Sequence, residues 1–334
     1  MIETLTPLEL KLLDRWQRDF PLESRPFAVL ASALEVEEAT VLERLAAFRR
    51  QGLISRVGAV VRPNTAGAST LAAMAVPPAR LEAVADRVNA EPAVNHNYQR
   101  EHDLNLWFVV AAADPAAVAE TLAGISRDSG LEVLDLPLER AYHIDLGFGL
   151  EGRDRCTRRY VAGGAAPTIE ADAADRRLLS AIEDGLPLVP RPFAKVAQSL
   201  GWTETEALDR LRRLCAGGVV SRFGLVVRHR SLGYRANAMA VWDVPDDGVD
   251  RVAADFAGQS FVTLCYRRPR RRPRWPYNLF CMIHGRDRLT VEAQVGRLND
   301  IAGTRALPQA VLFSRRCFKQ RGARFSGEAK EAAA

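Results

Sequence analysis

The sequence is sparing with cysteine, with lysine and with uninterrupted apolar runs, and each shortage closes off a class of protein. Five cysteines occur in 334 residues (Cys156, Cys215, Cys265, Cys281 and Cys317), an odd number with no C-x-x-C pair. Such spacing offers neither a disulfide framework nor a structural zinc site, and it points to reduced thiols in a cytoplasmic setting. The longest apolar runs, such as LWFVVAAA, fall well short of the roughly 18 residues a membrane span needs. The N-terminal MIETLTPLELKLLDRW is amphipathic and carries acids, so it does not read as a secretory leader. Lysine supplies only four of the 46 cationic side chains, which leaves arginine as the carrier of positive charge.

That charge is uneven. Residues 1–166 hold 18 Lys+Arg against 23 Asp+Glu, a net of −5, and the remainder holds 28 against 18, a net of +10. In RRPRRRPR, residues 267–274, six of eight residues are arginine. A dense arginine loop suits phosphates or several carboxylates, because guanidinium pairs with both bidentately.

The chain repeats itself. RPFAVLASAL (25–34) returns as RPFAKVAQSL (191–200), and ISRVGAVVR (54–62) returns as VSRFGLVVR (220–228), both at an offset of 166. Farther on the offset drifts: NYQR (97–100) matches CYRR (265–268), and NLWF (105–108) matches NLFC (278–281). A period of this size marks two copies of one unit of about 150 residues.

Each unit opens with helix, short helix, turn and helix. Val41, Leu42, Leu45 and Phe48 fall at helical spacing, and Gly52 closes the third helix. LISRVGAVVR then reads as a β-wing hairpin, completing a winged helix-turn-helix. The rest of each unit reads strand, helix, strand, strand, helix, strand, with Asp114 capping the second helix of the first copy. That order is ferredoxin-like, βαββαβ. The expected fold class is α+β, a tandem repeat of winged helix-turn-helix plus ferredoxin-like units. The boundaries are 1–62 and 63–150 for the first copy, a linker at 151–168, 169–230 and 231–326 for the second copy, and a disordered tail at 327–334.

This architecture admits two functions. A DNA reader should present cations near the N-terminal half of its reading helix. Here those halves read EVEEAT and WTETEALD, which repel phosphate, so DNA binding is disfavoured. The rival is a small-molecule site between the βαββαβ units. In VNHNYQREHDLNLWFVV, alternate residues of a strand put His96, Tyr98, Arg100 and, if the strand continues, His102 on one face. The second copy has Leu264 and Tyr266 at the matching positions, inserts the arginine loop before Trp275 and Tyr277, and places His284 and Arg286 beyond a strand. Unequal halves suit one asymmetric site for a large flat polyacid, with aromatics over its face and arginines at its rim.

The motifs HNYQREHDLNLWFV, CYRRP…WPYNLFCMIHGR and FKQRGARF together resemble the siroheme decarboxylases. These are Lrp/AsnC-like proteins of the alternative haem and d-type haem pathways. The two halves look like the two different subunits of that enzyme fused head to tail, a pseudo-heterodimer in one chain whose further oligomerisation the sequence leaves open. The resemblance implies non-oxidative loss of CO2 from the C12 and C18 acetates of siroheme, giving 12,18-didecarboxysiroheme. It implies no added organic cofactor, the iron arriving with the substrate. The alternative is an Lrp/AsnC-type DNA-binding or haem-sensing regulator.

Removing CO2 requires a proton at the exposed methylene, which is histidine chemistry near neutral pH. His96 and His102 are the candidate acids, either one being equally suited to ligate the substrate iron, and Tyr98 is the catalytic companion that orients an acetate. Arg100, Asn105, Trp107, Tyr266, Arg267, Arg268, Trp275, Tyr277, His284 and Arg286 are the candidate substrate contacts. The RRPRRRPR loop is expected to close over the edge of the substrate. His143 is a further candidate, while His229 reads as incidental. The resemblance also implies a histidine where Leu264 stands, which shifts the chemistry toward the first half or toward His284.

Overall fold

A computed structural model describes residues 5–144 and 169–322. The linker expected at 151–168, the tail at 327–334, Cys156 and the end of FKQRGARF lie outside the described residues. Cys215, Cys265, Cys281 and Cys317 are free thiols. No helix among the described residues is long and apolar enough to cross a membrane.

The first unit begins with α1 (Pro7–Arg15), α2 (Pro26–Leu34), α3 (Glu38–Arg50) and strand β1 (Ile54–Val61). Thr6 and Glu9 form a capping box that satisfies the first amides of α1. Gly52 follows the last turn of α3 at φ +69°, where a side chain would be strained. The ferredoxin-like part follows: β2 (Ala68–Met74), α4 (Leu81–Ala90), β3 (Val94–Arg100), β4 (Leu106–Ala112), α5 (Pro115–Ser129) and β5 (Leu134–Pro137). Asp114 caps α5 by accepting from the Ala117 amide at 2.9 Å, as its sequence position implied. The expected closing strand is broken after Pro137, and its second part is a separate strand, β6 (Arg140–Ile144).

The second unit repeats the pattern with α6 (Ala173–Ala181), α7 (Pro192–Leu200), α8 (Glu204–Ala216), β7 (Val220–Val227), β8 (Ala236–Trp242), α9 (Val249–Ala257), β9 (Val262–Arg267), β10 (Leu279–Gly285), α10 (Arg288–Ala302) and β11 (Gln309–Gln320). The α+β tandem repeat is therefore what the chain forms.

The wing differs from expectation. Each unit supplies one strand rather than a hairpin, and β1 pairs antiparallel with β7 across the two units. Gly58 meets Gly224 at the middle of this ribbon. The reason is local: a Cβ on Gly224 would lie 2.4 Å from the Trp16 carbonyl oxygen and 2.6 Å from that of Gln17, so β7 can approach the first unit only without a side chain there. The Leu225 amide donates to the Trp16 carbonyl at 2.8 Å, which seals that approach. Both helical parts consequently share one core, running from Leu12 and Phe27 to Leu211 and Leu225. The start of α8, which a DNA reader would expose, is tied to the first unit. Glu204 accepts from Ser24 at 2.9 Å, and Arg212 donates to the Leu22 carbonyl at 2.7 Å.

Nine strands run in the order β5-β2-β4-β3-β11-β8-β10-β9-β6. Each half has the ferredoxin-like order, and each final strand crosses over. The first part of β11 pairs with β8 in its own half, and the remainder pairs with β3 of the other. Reciprocally, β5 pairs with β2 and β6 pairs with β9. Alternation then sorts the side chains. Ala72, Met74, Phe108 and Val110 pack under α4 and α5. Leu71, Ala73, Trp107 and Leu136 point the other way, onto Met239, Val241, Phe280 and Leu312 of the second half. Burying each large apolar side chain there contributes roughly 1.5–3 kcal/mol.

Gly224→Ala is expected to destabilise the protein by about 1–3 kcal/mol through overpacking, lowering the thermal midpoint by several degrees. Gly296→Ala, inside α10 with nothing within 4 Å, should leave the midpoint equal or higher. Calorimetry on both variants checks this, and equal midpoints would remove the close-approach explanation.

Candidate active site

Where apolar packing between the two sheets stops, a cavity of about 390 Å³ opens. Its walls are β3 and β4 from the first half and β8, β9 and β10 from the second, and the β1–β7 ribbon and the Arg62–Ala68 connection close over it. The size falls in the range of small-molecule pockets.

The strand reading of NHNYQR holds. His96, Tyr98 and Arg100 all line the cavity, while Asn97 points to the opposite face and donates to the Ala85 carbonyl at 3.2 Å. The rings of His96 and Tyr98 stack with centroids 6.3 Å apart, and the Arg100 guanidinium sits 5.7 Å over the Tyr98 ring. Trp107, Tyr266, Arg268 and His284 line the same space. Tyr266 and Arg268 repeat the first half's arrangement, with the guanidinium 4.7 Å over the ring.

The other candidates are elsewhere, each for an identifiable reason. The strand ends at Arg100, so His102 lies in the following turn, where its Nδ1 accepts from the Leu104 amide at 3.0 Å and its ring meets Trp275 at 5.5 Å. Asn105 is a latch: it donates to the Val76 carbonyl at 2.8 Å and accepts from the Val76 amide at 2.9 Å. Asn278 does the same to Val244 in the second half. Trp275 is fully buried behind Trp107, 5.0 Å between rings, and Tyr277 packs on it at 4.9 Å. Arg267 pairs with Asp246 at 2.9 Å and with Glu139 at 3.0 Å. Arg286 is exposed, 5.9 Å from the Tyr234 ring. His143, on β6 opposite Cys265, is not among the lining residues, and His229 begins the short turn His229–Leu232.

The arginine loop is not a lid. Arg270 pairs with Asp243 at 2.6 Å and Asp246 at 2.9 Å, Arg272 with Asp243 at 2.8 Å, and Arg274 with Glu132. Arg271 donates to the Asp135 carbonyl at 2.9 Å. Of this run only Arg268 reaches the cavity.

The cations that do surround the cavity come largely from positions the motif reading passed over. Arg56, Arg62, Arg222, Arg228 and Arg321 join Arg100 and Arg268, giving seven arginines against one carboxylate, Glu183, among the described residues. A signal was present: Arg56 and Arg62 recur as Arg222 and Arg228 in otherwise apolar strands of both copies.

Several of these charges are held at a cost. Arg100 is 8% exposed, and its partners are the Leu312 carbonyl at 3.2 Å and the Met282 sulfur at 3.9 Å. Arg268 donates to the Leu136 carbonyl. Neither has a carboxylate in an ion pair among the described residues, and the Nε atoms of Arg56, Arg100 and Arg268 are buried without a partner. Burial pushes Arg100 down to about 10, and it lowers Arg56 and Arg268 as well. All three remain cationic at neutral pH. Burying a cation away from a paired carboxylate is unfavourable, and an anion bound in the cavity would offset that cost.

His96 is held neutral. Burial, then the nearby Arg56, lowers it to about 4. Its Nδ1 lies 2.9 Å from Asn95 Oδ1. Burial also lowers His102, against the opposing field of Asp103. Tyr98 is raised, first by burial and then by Cys317, so its hydroxyl keeps its proton.

Comparison with known proteins agrees with this layout. The AsnC-like ligand binding domain profile matches residues 66–143 and 231–319, and the siroheme decarboxylase NirDL-like HTH domain profile matches 9–54 and 175–220. The siroheme decarboxylase NirDL subunit of Paracoccus denitrificans is 46% identical over 321 residues, covering 96% of this chain and 98% of that protein. The siroheme decarboxylase NirD subunit of Pseudomonas aeruginosa is 51% identical over 144 residues, 43% of this chain and 96% of that protein, so one half of this chain matches a separate subunit there. A crystal structure of the siroheme decarboxylase NirDL in co-complex with an iron-uroporphyrin III analogue superposes with a TM-score of 0.67 at 30% identity, covering 95% of this chain and 93% of that one.

Arg100→Met and Arg268→Met are each expected to weaken binding of a polycarboxylated iron tetrapyrrole by about tenfold or more, the loss of one charge-assisted contact. The ligand-free variants should melt no lower than the parent, because an uncompensated buried cation has been removed. Optical titration and calorimetry measure the two effects, and unchanged affinity would contradict the assignment.

Proposed function

The chain belongs to the siroheme decarboxylase family, and we propose that it removes CO2 from the C12 and C18 acetate side chains of siroheme to give 12,18-didecarboxysiroheme. The observation that carries this is the excess of arginine over carboxylate, with Arg100 buried among them, around a cavity shared by both halves. A flat macrocycle rimmed with carboxylates is the kind of ligand that suits such a cavity. The reaction is non-oxidative and needs no added organic cofactor, and the product feeds d-type haem synthesis.

At each acetate the bond between the methylene and the carboxylate carbon breaks and CO2 leaves. The electron pair enters the conjugated ring system, and a proton reaches the methylene carbon to make a methyl group. Atoms and charge balance without an oxidant. Arg100 and Arg268 hold carboxylates that are not leaving, and desolvation strengthens each contact. Tyr98 and Tyr266 lie beneath those guanidinium groups, where a phenol can orient an acetate.

His96 enters as a neutral ring. In that state it suits iron ligation directly, through a ring lone pair. As an acid it must first gain a proton, and the incoming carboxylates favour that by opposing the influence of Arg56. The two roles differ in pH signature. With a pKa of about 4, the ring is neutral at pH 6. If carboxylates raise it, binding at pH 6 takes up a proton, and the uptake fades well above the raised value.

Incubating the purified protein anaerobically with siroheme should convert the pigment to one lighter by two CO2 on mass spectrometry, and an unchanged mass would sink the proposal. His96→Ala should reduce conversion by about a hundredfold or more if the ring is the acid. Calorimetry at pH 6 in buffers of different ionisation enthalpy separates the roles. Proton uptake that disappears in the variant identifies the acid. A visible spectrum that changes in the variant, without uptake in the parent, identifies the ligand.

A further inference from the structure

The turn that joins β3 to β4 is closed by the Arg100 amide, which donates to the Asn105 carbonyl at 2.8 Å. The second half closes in the same way, from the Arg268 amide to the Asn278 carbonyl at 3.0 Å. Between these closures the halves differ. The first has Glu101–Leu104, which includes His102, and the second has the longer stretch Pro269–Tyr277, which includes Trp275. The two loops meet. The His102 ring stands edge-on to Trp275 with centroids 5.5 Å apart, and Trp275 in turn backs Trp107 at 5.0 Å.

The Leu104 amide donates to His102 Nδ1 at 3.0 Å. A backbone amide can only donate, so this nitrogen must present its lone pair. The neutral ring then carries its proton on Nε2, and a ring protonated on both nitrogens loses the contact. Burial favours the neutral ring, against the opposing field of Asp103. The carbonyl of Leu104 is held as well, accepting from Trp107 Nε1 at 2.6 Å. Leu104 is 4% exposed and Trp107 is 1% exposed, so water does not readily replace either bond. Trp107 lines the cavity and lies directly opposite Tyr98 in the pairing of β3 with β4. Contacts therefore run without a break from His102, through Leu104, to the indole opposite Tyr98.

We infer that His102 is a positioning residue: its Nδ1 fixes Leu104, and Leu104 fixes the Trp107 wall of the cavity. The lone pair that would ligate iron or store a proton is committed to the backbone. The Nε2–H that remains on a neutral ring is too weak an acid to deliver a proton near neutral pH. The latch is a property of the protein alone, and its effect on siroheme rests on the decarboxylase reading.

Nitrogen NMR of the full-length, ligand-free protein with labelled histidine and tryptophan reads both ends of the latch. His102→Asn and Trp107→Phe assign the two signals. Near neutral pH the His102 ring should show a bare Nδ1 and a protonated Nε2. In His102→Leu the Trp107 indole N–H signal should move. Optical titration of that variant should show the Kd for siroheme raised by about tenfold, the effect of one buried hydrogen bond left unmade, with kcat changed less. His102→Asn should restore the indole signal and bring Kd to within about threefold of the parent, because an asparagine Oδ1 accepts from the amide two residues on. Should His102→Leu fail to fold, His102→Asn decides alone. A protonated Nδ1 in the parent, an indole signal unmoved in His102→Leu, or a kcat that His102→Asn lowers by about a hundredfold, as loss of an acid does, would each overturn the inference. Signals and affinities as expected, with siroheme left unchanged by the parent, would remove the decarboxylase reading and leave the latch standing.

Discussion

The cavity exists because the last strand of each half leaves its own sheet and finishes on the other. β11 hydrogen-bonds β8 and then β3, and β5 and β6 divide the reciprocal task between β2 and β9. This exchange holds the inner faces of the two sheets together. It brings Tyr98 and Arg100 into the same cavity as Tyr266 and Arg268, residues far apart in the chain. It also covers sheet edges that would otherwise present unpaired backbone groups. Neither half alone encloses the site, so the pairing of two related units, here within one chain, is a structural requirement of the cavity as it stands.

Electrostatics explains the choice of residues within that frame. The arginines of the outer loop find carboxylates in the protein, while the inner ones find carbonyl groups, a thioether and aromatic faces. The same side chain thus plays two parts, set by what the fold leaves beside it. Outer pairs in water contribute little. An inner cation with no paired carboxylate costs stability, and an anion bound beside it would offset that cost. Burial, and then the field of Arg56, depresses His96, so a carboxylate bound in the cavity would shift the protonation of that ring.

Much of this was legible in the sequence because it is written in short periods. The repeat showed two units, strand alternation showed that His96, Tyr98 and Arg100 share a face, and the motifs resembled those of the siroheme decarboxylases. Sequence and structure part where tertiary pairing decides. LISRVGAVVR has the composition of a hairpin, yet its partner is the matching strand 166 residues later. His102 continues the alternation in letters, but the chain turns after Arg100. RRPRRRPR looked like a clamp because Asp243, Asp246 and Glu132, which neutralise it, are distant in sequence. Asn105 looked polar enough to bind a ligand and instead fastens Val76. The ribbon arginines were visible as a doubled pattern, but only the fold shows that the ribbon roofs the cavity.

One shared cavity should hold one macrocycle, contacted by both halves at once. Anaerobic optical titration of the full chain with siroheme measures this directly. A sharp break at one equivalent per chain is the expected result. A break at two equivalents, or saturation by a fragment carrying a single half, would contradict a site that both halves build together.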